Sequence, residues 1–255
     1  MRRAIRAEWA KAWSDPVVPW LLTALVVLSV TVSGVTIGTA RCPAAACGQD
    51  PARISLTGVY VGQAVAALAG VLALGGEYGT GMIRVTLTAV PRRGQLLAAK
   101  ALVLAGPVLA AAALAAGAAV LAGLAVLPGH GFTPGHGFDL ASWATVRAWC
   151  CATVYLTLVA VLGLGVTAIV RDSAAAAGVV LGLLYLFPVA ALAAGGQALQ
   201  RRLEQIGPMS AGLDSQTTLD LRGLPLTPWQ GLGVVALWAG GAVILGGVLL
   251  RVRDA

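Results

Sequence analysis

Charge is scarce in this sequence. Asp, Glu, Lys and Arg together make 11% of its 255 residues, and only Lys11 and Lys100 are lysines. A water-soluble domain carries about 25% charged residues. The composition therefore excludes a soluble enzyme domain, a disordered regulator and a coiled coil. The four cysteines form no CxxC and no Cys/His grouping with zinc spacing, which argues against a structural metal site. There is no P-loop. GxxxxGK[ST] needs a lysine directly after a glycine, whereas alanine precedes both Lys11 and Lys100. The chain is therefore not expected to be an enzyme that binds and hydrolyses ATP by that route. The apolar runs hold almost no ionisable residue. Glu77, Arg171 and Asp172 fall at run boundaries, which speaks against an ion-coupled carrier. No buried nucleophile, metal-ligand set or facing carboxylates suggest intramembrane catalysis.

What is present is hydrophobicity, at 58% of the chain. Six apolar runs cover about 17–38, 55–75, 101–127, 149–170, 174–195 and 229–250, each near the ~20 residues that a bilayer crossing needs. The fold class expected is an all-α polytopic membrane protein with six transmembrane helices, a single transmembrane domain over 1–255. The first run follows Arg2 and Arg3 like a signal peptide, but it exceeds an h-region of about 7–15 residues and reads as a signal anchor. Trp20, Trp143, Trp149 and Trp229 fall near run ends, where an aromatic belt would place them. GxxxG occurs at Gly34/Gly38, Gly58/Gly62 and Gly178/Gly182. With 33 glycines, roughly four such pairs arise by chance, so these mark possible close helix contacts only.

Six crossings put both termini on one side. That side carries Arg2, Arg3, Arg6, Lys11, Arg84, Arg92, Arg93, Lys100, Arg171, Arg251 and Arg253. The other carries Arg41, Arg53, Arg147, Arg201, Arg202 and Arg222, and the acidic residues split evenly. The positive-inside rule then makes both termini cytoplasmic in a cell (plasma) membrane. The positives sit at helix ends and form no basic domain, so nucleic acid is not expected as a partner and membrane lipid is. Cys42 and Cys47 lie in one outer loop. They can form a small-loop disulfide in an oxidising compartment, or remain two free thiols.

Ile5, Trp9 and Trp13 recur at i, i+4 and i+8, with Arg2, Arg3, Arg6 and Lys11 largely off that stripe. This reads as an N-terminal amphipathic helix in the headgroup region. Leu199, Leu203 and Ile206 make a second short amphipathic stripe, in the extracellular segment 196–228 before the last helix. Pro-Gly-His-Gly-Phe stands at 128–132 and again at 134–138 and holds both histidines, His130 and His136. Two histidines without further ligands make a poor metal site, so the repeat reads as a duplicated Gly-rich loop.

The most informative stretch is the cytoplasmic segment 76–100, GEYGTGMIRVTLTAVPRRGQLLAAK. Glu77 and Tyr78 close the second crossing, and Gly79 and Gly81 loosen the backbone. Thr80–Ala89 can form a short helix showing Met82, Ile83, Val85 and Leu87, which Pro91 stops. Arg92 and Arg93 then open a helix through Lys100 into the third crossing. Apolar residues beside Arg84 on a cytoplasmic helix suit a groove on another protein. Packing on its own bundle is the other reading.

This pattern resembles the permease subunits of ABC-2 type exporters, especially short six-helix, actinobacterial-like ones. The likeness rests on Glu77, Tyr78, Gly81, Arg84, Leu87, Pro91, Arg92, Arg93 and Lys100, on Pro208 to Gly212, on Pro228-Trp229 and on the tail from Arg251 to Ala255. It implies a homodimer, or a pairing with a homologous half, driven by two copies of an ABC ATPase subunit that carries the ATP and magnesium. It also implies that Ile5–Trp13 and Glu77–Arg93, with Met82 among them, touch the ATPase, and that about 197–222 closes the exit. Met209 departs from the family's polar pattern there. The expected function is half of an efflux pathway for a hydrophobic or amphipathic cargo: a drug, as in multidrug export, a natural product, a lipid or a peptide. A non-transporting membrane scaffold, or an immunity protein that binds a toxin, is the alternative.

Overall fold

The computed structural model describes residues 5, 6, 8–11, 16–42, 48–82, 93–132, 138–219, 221 and 223–252. Every regular element among them is helical. In chain order these are α1 (Val17–Thr39), α2 (Pro51–Ser55), α3 (Val59–Gly79), α4 (Arg93–Val126), a 3₁₀ turn at Leu127–His130, α5 (Trp143–Val170), α6 (Ser173–Ala193), α7 (Gln197–Ile206), α8 (Pro208–Asp214) and α9 (Pro228–Val252). Residues 5, 6 and 8–11 are also helical. Six of these helices, α1, α3, α4, α5, α6 and α9, are long and apolar enough to cross a membrane, so the chain is of the multi-pass class. Helices suit this setting because they satisfy their own backbone where no water can.

α5 sits at the centre and packs most extensively on α9, α3 and α4. These contacts are made by small residues. A Cβ on Gly70 would overlap the Ala160 carbonyl, and one on Gly163 would overlap the Ala67 carbonyl, so α3 and α5 cross nearly backbone to backbone. Gly165 and Gly246 close the α5–α9 crossing in the same way. Of the three GxxxG pairs, only Gly58/Gly62 packs against another helix, accommodating Ser29 and Ser33 of α1. Nothing lies near Gly34, Gly38 or Gly178, and Gly182 faces only Leu186 of its own helix.

Short polar devices fix the ends. Asp172 caps α6 by accepting from the Ala175 N–H at 2.7 Å. Arg171 takes φ 66° and so turns α5 into α6 within two residues. α3 ends in a turn through Thr80 to Gly81, whose φ of +70° is a conformation that suits glycine.

Two boundaries differ from the sequence reading. The second run was expected to start near 55. Instead Asp50 caps a separate short helix, with Pro51 at its first position, and α3 begins only after Gly58 presses against α1. The fourth was expected to start at Trp149 but starts six residues earlier, because Arg147 is built into the helix and buried. Trp149 is therefore no belt residue; its Nε1–H donates to the Ala113 carbonyl at 3.0 Å. Trp20, Trp143 and Trp229 do lie exposed at helix ends.

The close crossings lead to a direct expectation. Gly70→Ala forces α3 off α5 and lowers stability by about 1–3 kcal/mol, whereas Gly178→Ala leaves it unchanged. Thermal unfolding of the detergent-solubilised chain, followed by loss of the monodisperse elution peak, separates the two.

Candidate functional site

Both lysines of the chain meet in one place. Glu77 stands in the last turn of α3, and Lys100 stands two turns into α4. Each side chain is only 4% exposed. The Lys100 ammonium donates to Glu8 Oε2 at 2.6 Å and to Glu77 Oε1 at 2.5 Å. Lys11 donates to the same Glu77 oxygen. Two ammoniums and two carboxylates balance, which is what allows Glu77 and Lys100 to be buried. Among the described residues Glu77 Oε2 has no hydrogen-bond partner.

Glu8 and Lys11 lie three apart, and so on one face of the N-terminal helix. The Glu8 and Lys11 side of the helix therefore turns toward the bundle, while Arg6 is exposed, Trp9 about half exposed and Ile5 partly buried. The cluster floors a cavity of about 250 Å³ between α1, α3 and α4. Its walls are apolar, with Leu22, Leu72, Val103, Leu104 and Pro107 among them. Pro107 lacks the N–H that would otherwise bond the Val103 carbonyl one turn below. The arrangement joins a charged floor to an apolar wall, which suits an amphipathic molecule or a mechanical joint. The close approach of Gly94 to the Arg251 guanidinium places the end of α9 at this same end of the bundle.

Of the expected coupling residues, Glu77, Tyr78, Gly81 and Met82 are placed at or just beyond the end of α3. Glu77 lies in the cluster, and Met82 lines the cavity. Arg93 opens α4. Arg84, Leu87, Pro91 and Arg92, and the Trp13 end of the amphipathic stripe, lie outside the described residues. Cys42 is disulfide-bonded, and Cys150 and Cys151 are free. Cys47, its expected partner, lies outside the described residues.

At the opposite end the first copy of the repeat braces the cysteine loop. The Cys42 N–H donates to the His130 carbonyl at 3.0 Å, and Gly131, with φ +92°, packs on the Cys42 carbonyl. The Arg41 guanidinium contacts the His130 ring at 2.9 Å. His136 lies outside the described residues.

The segment before α9 folds back into this end. α7 shows no buried residue, and Leu199 and Ile206 are exposed, as its amphipathic stripe suggests. α8 is the reverse: Pro208, Met209, Ala211, Gly212 and Leu213 are buried. Gly212 lies on the Tyr155 ring, whose hydroxyl donates to Gln63 in the second turn of α3. Tyr155 is the thirteenth residue of α5, roughly 18 Å along its axis. α8 therefore descends into the bundle.

Asp50 pins the return of this segment by accepting from Thr218 Oγ1 at 2.6 Å and from the Leu219 N–H at 2.9 Å. Arg53 pairs with Asp214 at 3.5 Å. Burial pushes the Asp214 carboxyl above its usual range. The Arg53 guanidinium lowers it in part, and Glu204 adds to the rise.

The sequence reading missed the union of Glu8, Lys11, Glu77 and Lys100, the Gln63–Tyr155 pair and the buried Arg147. A signal for the first was present: a chain with fifteen arginines keeps only two lysines. No protein-family model and no curated protein matches the chain.

Two outcomes follow from this geometry. Glu77→Ala leaves Lys100 buried with one partner and costs about 3–5 kcal/mol, while Lys11→Ala, at a half-exposed position, costs less than about 1 kcal/mol. Denaturation in mixed micelles, with limited proteolysis near residue 11 as a second readout, distinguishes them. Asp214 gives a pH dependence of known sign. Its raised pKa means that the folded chain holds the proton more tightly than the unfolded chain. Its stabilising contribution is thus complete below the unfolded carboxylate value and is lost as pH rises through the folded value. Asp214→Asn should flatten this part of the curve of thermal stability against pH.

Proposed function

We propose that this chain is the membrane-spanning half of an ATP-binding cassette exporter of the ABC-2 type. A second copy or a homologous half would complete the pathway, and two separate ATPase subunits would drive it. The observation that carries this reading is the buried ion cluster at the mouth of the segment 83–92. Glu77 precedes that segment and Lys100 follows it, and both hold the N-terminal helix through Glu8 and Lys11. A push on the segment from the cytoplasm would reach α1, α3 and α4 together through this joint. The re-entrant α8 at the other end suits a closed exit. ATP and magnesium belong to the partner, so the energy enters as a difference in its affinity for two arrangements of the bundle. The cavity, with its charged floor and apolar walls, supports an amphipathic cargo. In this reading the plasma membrane holds the chain with both termini in the cytoplasm.

The test is purification of the tagged chain from its native membranes in mild detergent. A stoichiometric P-loop ATPase should accompany it, and its turnover should change on binding the chain. Gly81→Pro and Arg84→Glu should uncouple that change without loss of the folded chain. A folded, dimeric chain with no ATPase would sink the reading in favour of a scaffold.

A further inference from the structure

Arg147 carries a guanidinium buried inside a membrane-spanning helix. It is 6% exposed and sits five residues into α5. Among the described residues no carboxylate lies within ion-pair distance of it. Among the described residues its one hydrogen bond is from Nη2 to the Thr217 carbonyl at 2.7 Å, and the buried Nη1 has no partner. Thr217 and its chain neighbour Gln216 are also buried, and among the described residues Gln216 Nε2 and Thr217 Oγ1 likewise have no partner. An amide nitrogen and a guanidinium nitrogen can only donate, and a hydroxyl can also donate. The N-terminus of the 28-residue α5, whose Ser142 makes no side-chain cap, adds positive potential one turn away. A buried guanidinium without a counter-charge is costly, and charges at this depth mark binding sites and pathways.

We propose that Arg147, Gln216 and Thr217 form a binding site for an anionic head group of the carboxylate or phosphate class. Arg147 Nη1 supplies the charge, and the Gln216 amide and the Thr217 hydroxyl supply further donors. Two sources share this chemistry: the acidic head of an amphipathic cargo, and the phosphate of a membrane lipid. Assigning it to cargo rests on the transport reading; the anion site does not.

The test uses the full chain in nanodiscs of zwitterionic lipid, with dansyl-undecanoic acid as probe and its methyl ester as the uncharged control. The acid should bind about tenfold or more tighter than the ester. Arg147→Gln should abolish that preference and leave ester binding unchanged. Thr217→Val and Gln216→Ala keep the charge and should each weaken acid binding several-fold, so the outcome does not hang on one variant. Inorganic phosphate should compete with the acid. Phosphatidylglycerol in the disc displacing the probe would support the site and give the lipid as its source; no displacement would leave cargo. Equal binding of acid and ester, or an acid preference that survives Arg147→Gln, overturns the proposal. The assay contains no ATPase, so its failure and that of the transport reading are separate.

Discussion

Apolar side chains gain little by turning inward in a bilayer, because lipid tails solvate them as well as a protein core does. Cohesion must then come from close backbone approach and from polar groups that have no better partner. This chain uses both on α5. Gly70 against Ala160 and Gly163 against Ala67 bring α3 and α5 together, and Gly165 with Gly246 brings α9 to the other side. The Tyr155–Gln63 hydrogen bond adds a polar tie where neither group can reach water. The same constraint explains the periphery. α1, α6 and α9 carry exposed Leu28, Leu186, Leu237 and Ile244, which would be faults in water and are ordinary lipid contacts here.

Polar groups follow a second consequence of the same medium. An isolated charge is expensive at this depth, so charges are either paired or held by backbone. The Glu8, Lys11, Glu77 and Lys100 cluster is the paired solution. Asp50 is a mixed one, accepting from the α2 backbone and from the return of the α8 segment with a single carboxylate. Arg147, with one carbonyl, is neither fully paired nor exposed, which sets it apart from the rest.

The spans were legible because each is a long apolar run, and composition alone decides where such a run can reside. Their internal breaks were less legible. Pro51 and Gly58 divide one apolar stretch into α2 and α3, but glycine is so common in this chain that one glycine carries little information. Arg147 ended the apparent fourth run by its charge, yet the helix continues through it, since a buried contact 70 residues away accepts its guanidinium. The ion cluster was illegible for a related reason. Its members are 92, 66 and 23 residues apart, and no periodicity links them. The amphipathic N-terminal stripe was readable, but which face met the bundle was not. Trp9 stays about half exposed, and Glu8 and Lys11 turn inward because Glu77 and Lys100 await them.

The two ends of the molecule are linked by how α3 is built. It carries Glu77 in its last turn and Gln63 in its second, with Gly70 between them. Gln63 holds Tyr155, and Tyr155 supports Gly212 of α8. The Gly70 and Gly163 contacts allow no compressible side chain between α3 and α5, so these helices behave as one body over about 30 Å of α3. α8 rests on that body through Tyr155 and against α9 through Gly231, where a Cβ would overlap the Ala211 carbonyl. A displacement of α5 relative to α9 would therefore alter both supports of α8 at once. That geometry makes the seating of α8 sensitive to the packing of the central helices, without requiring any chain of local switches between the two ends.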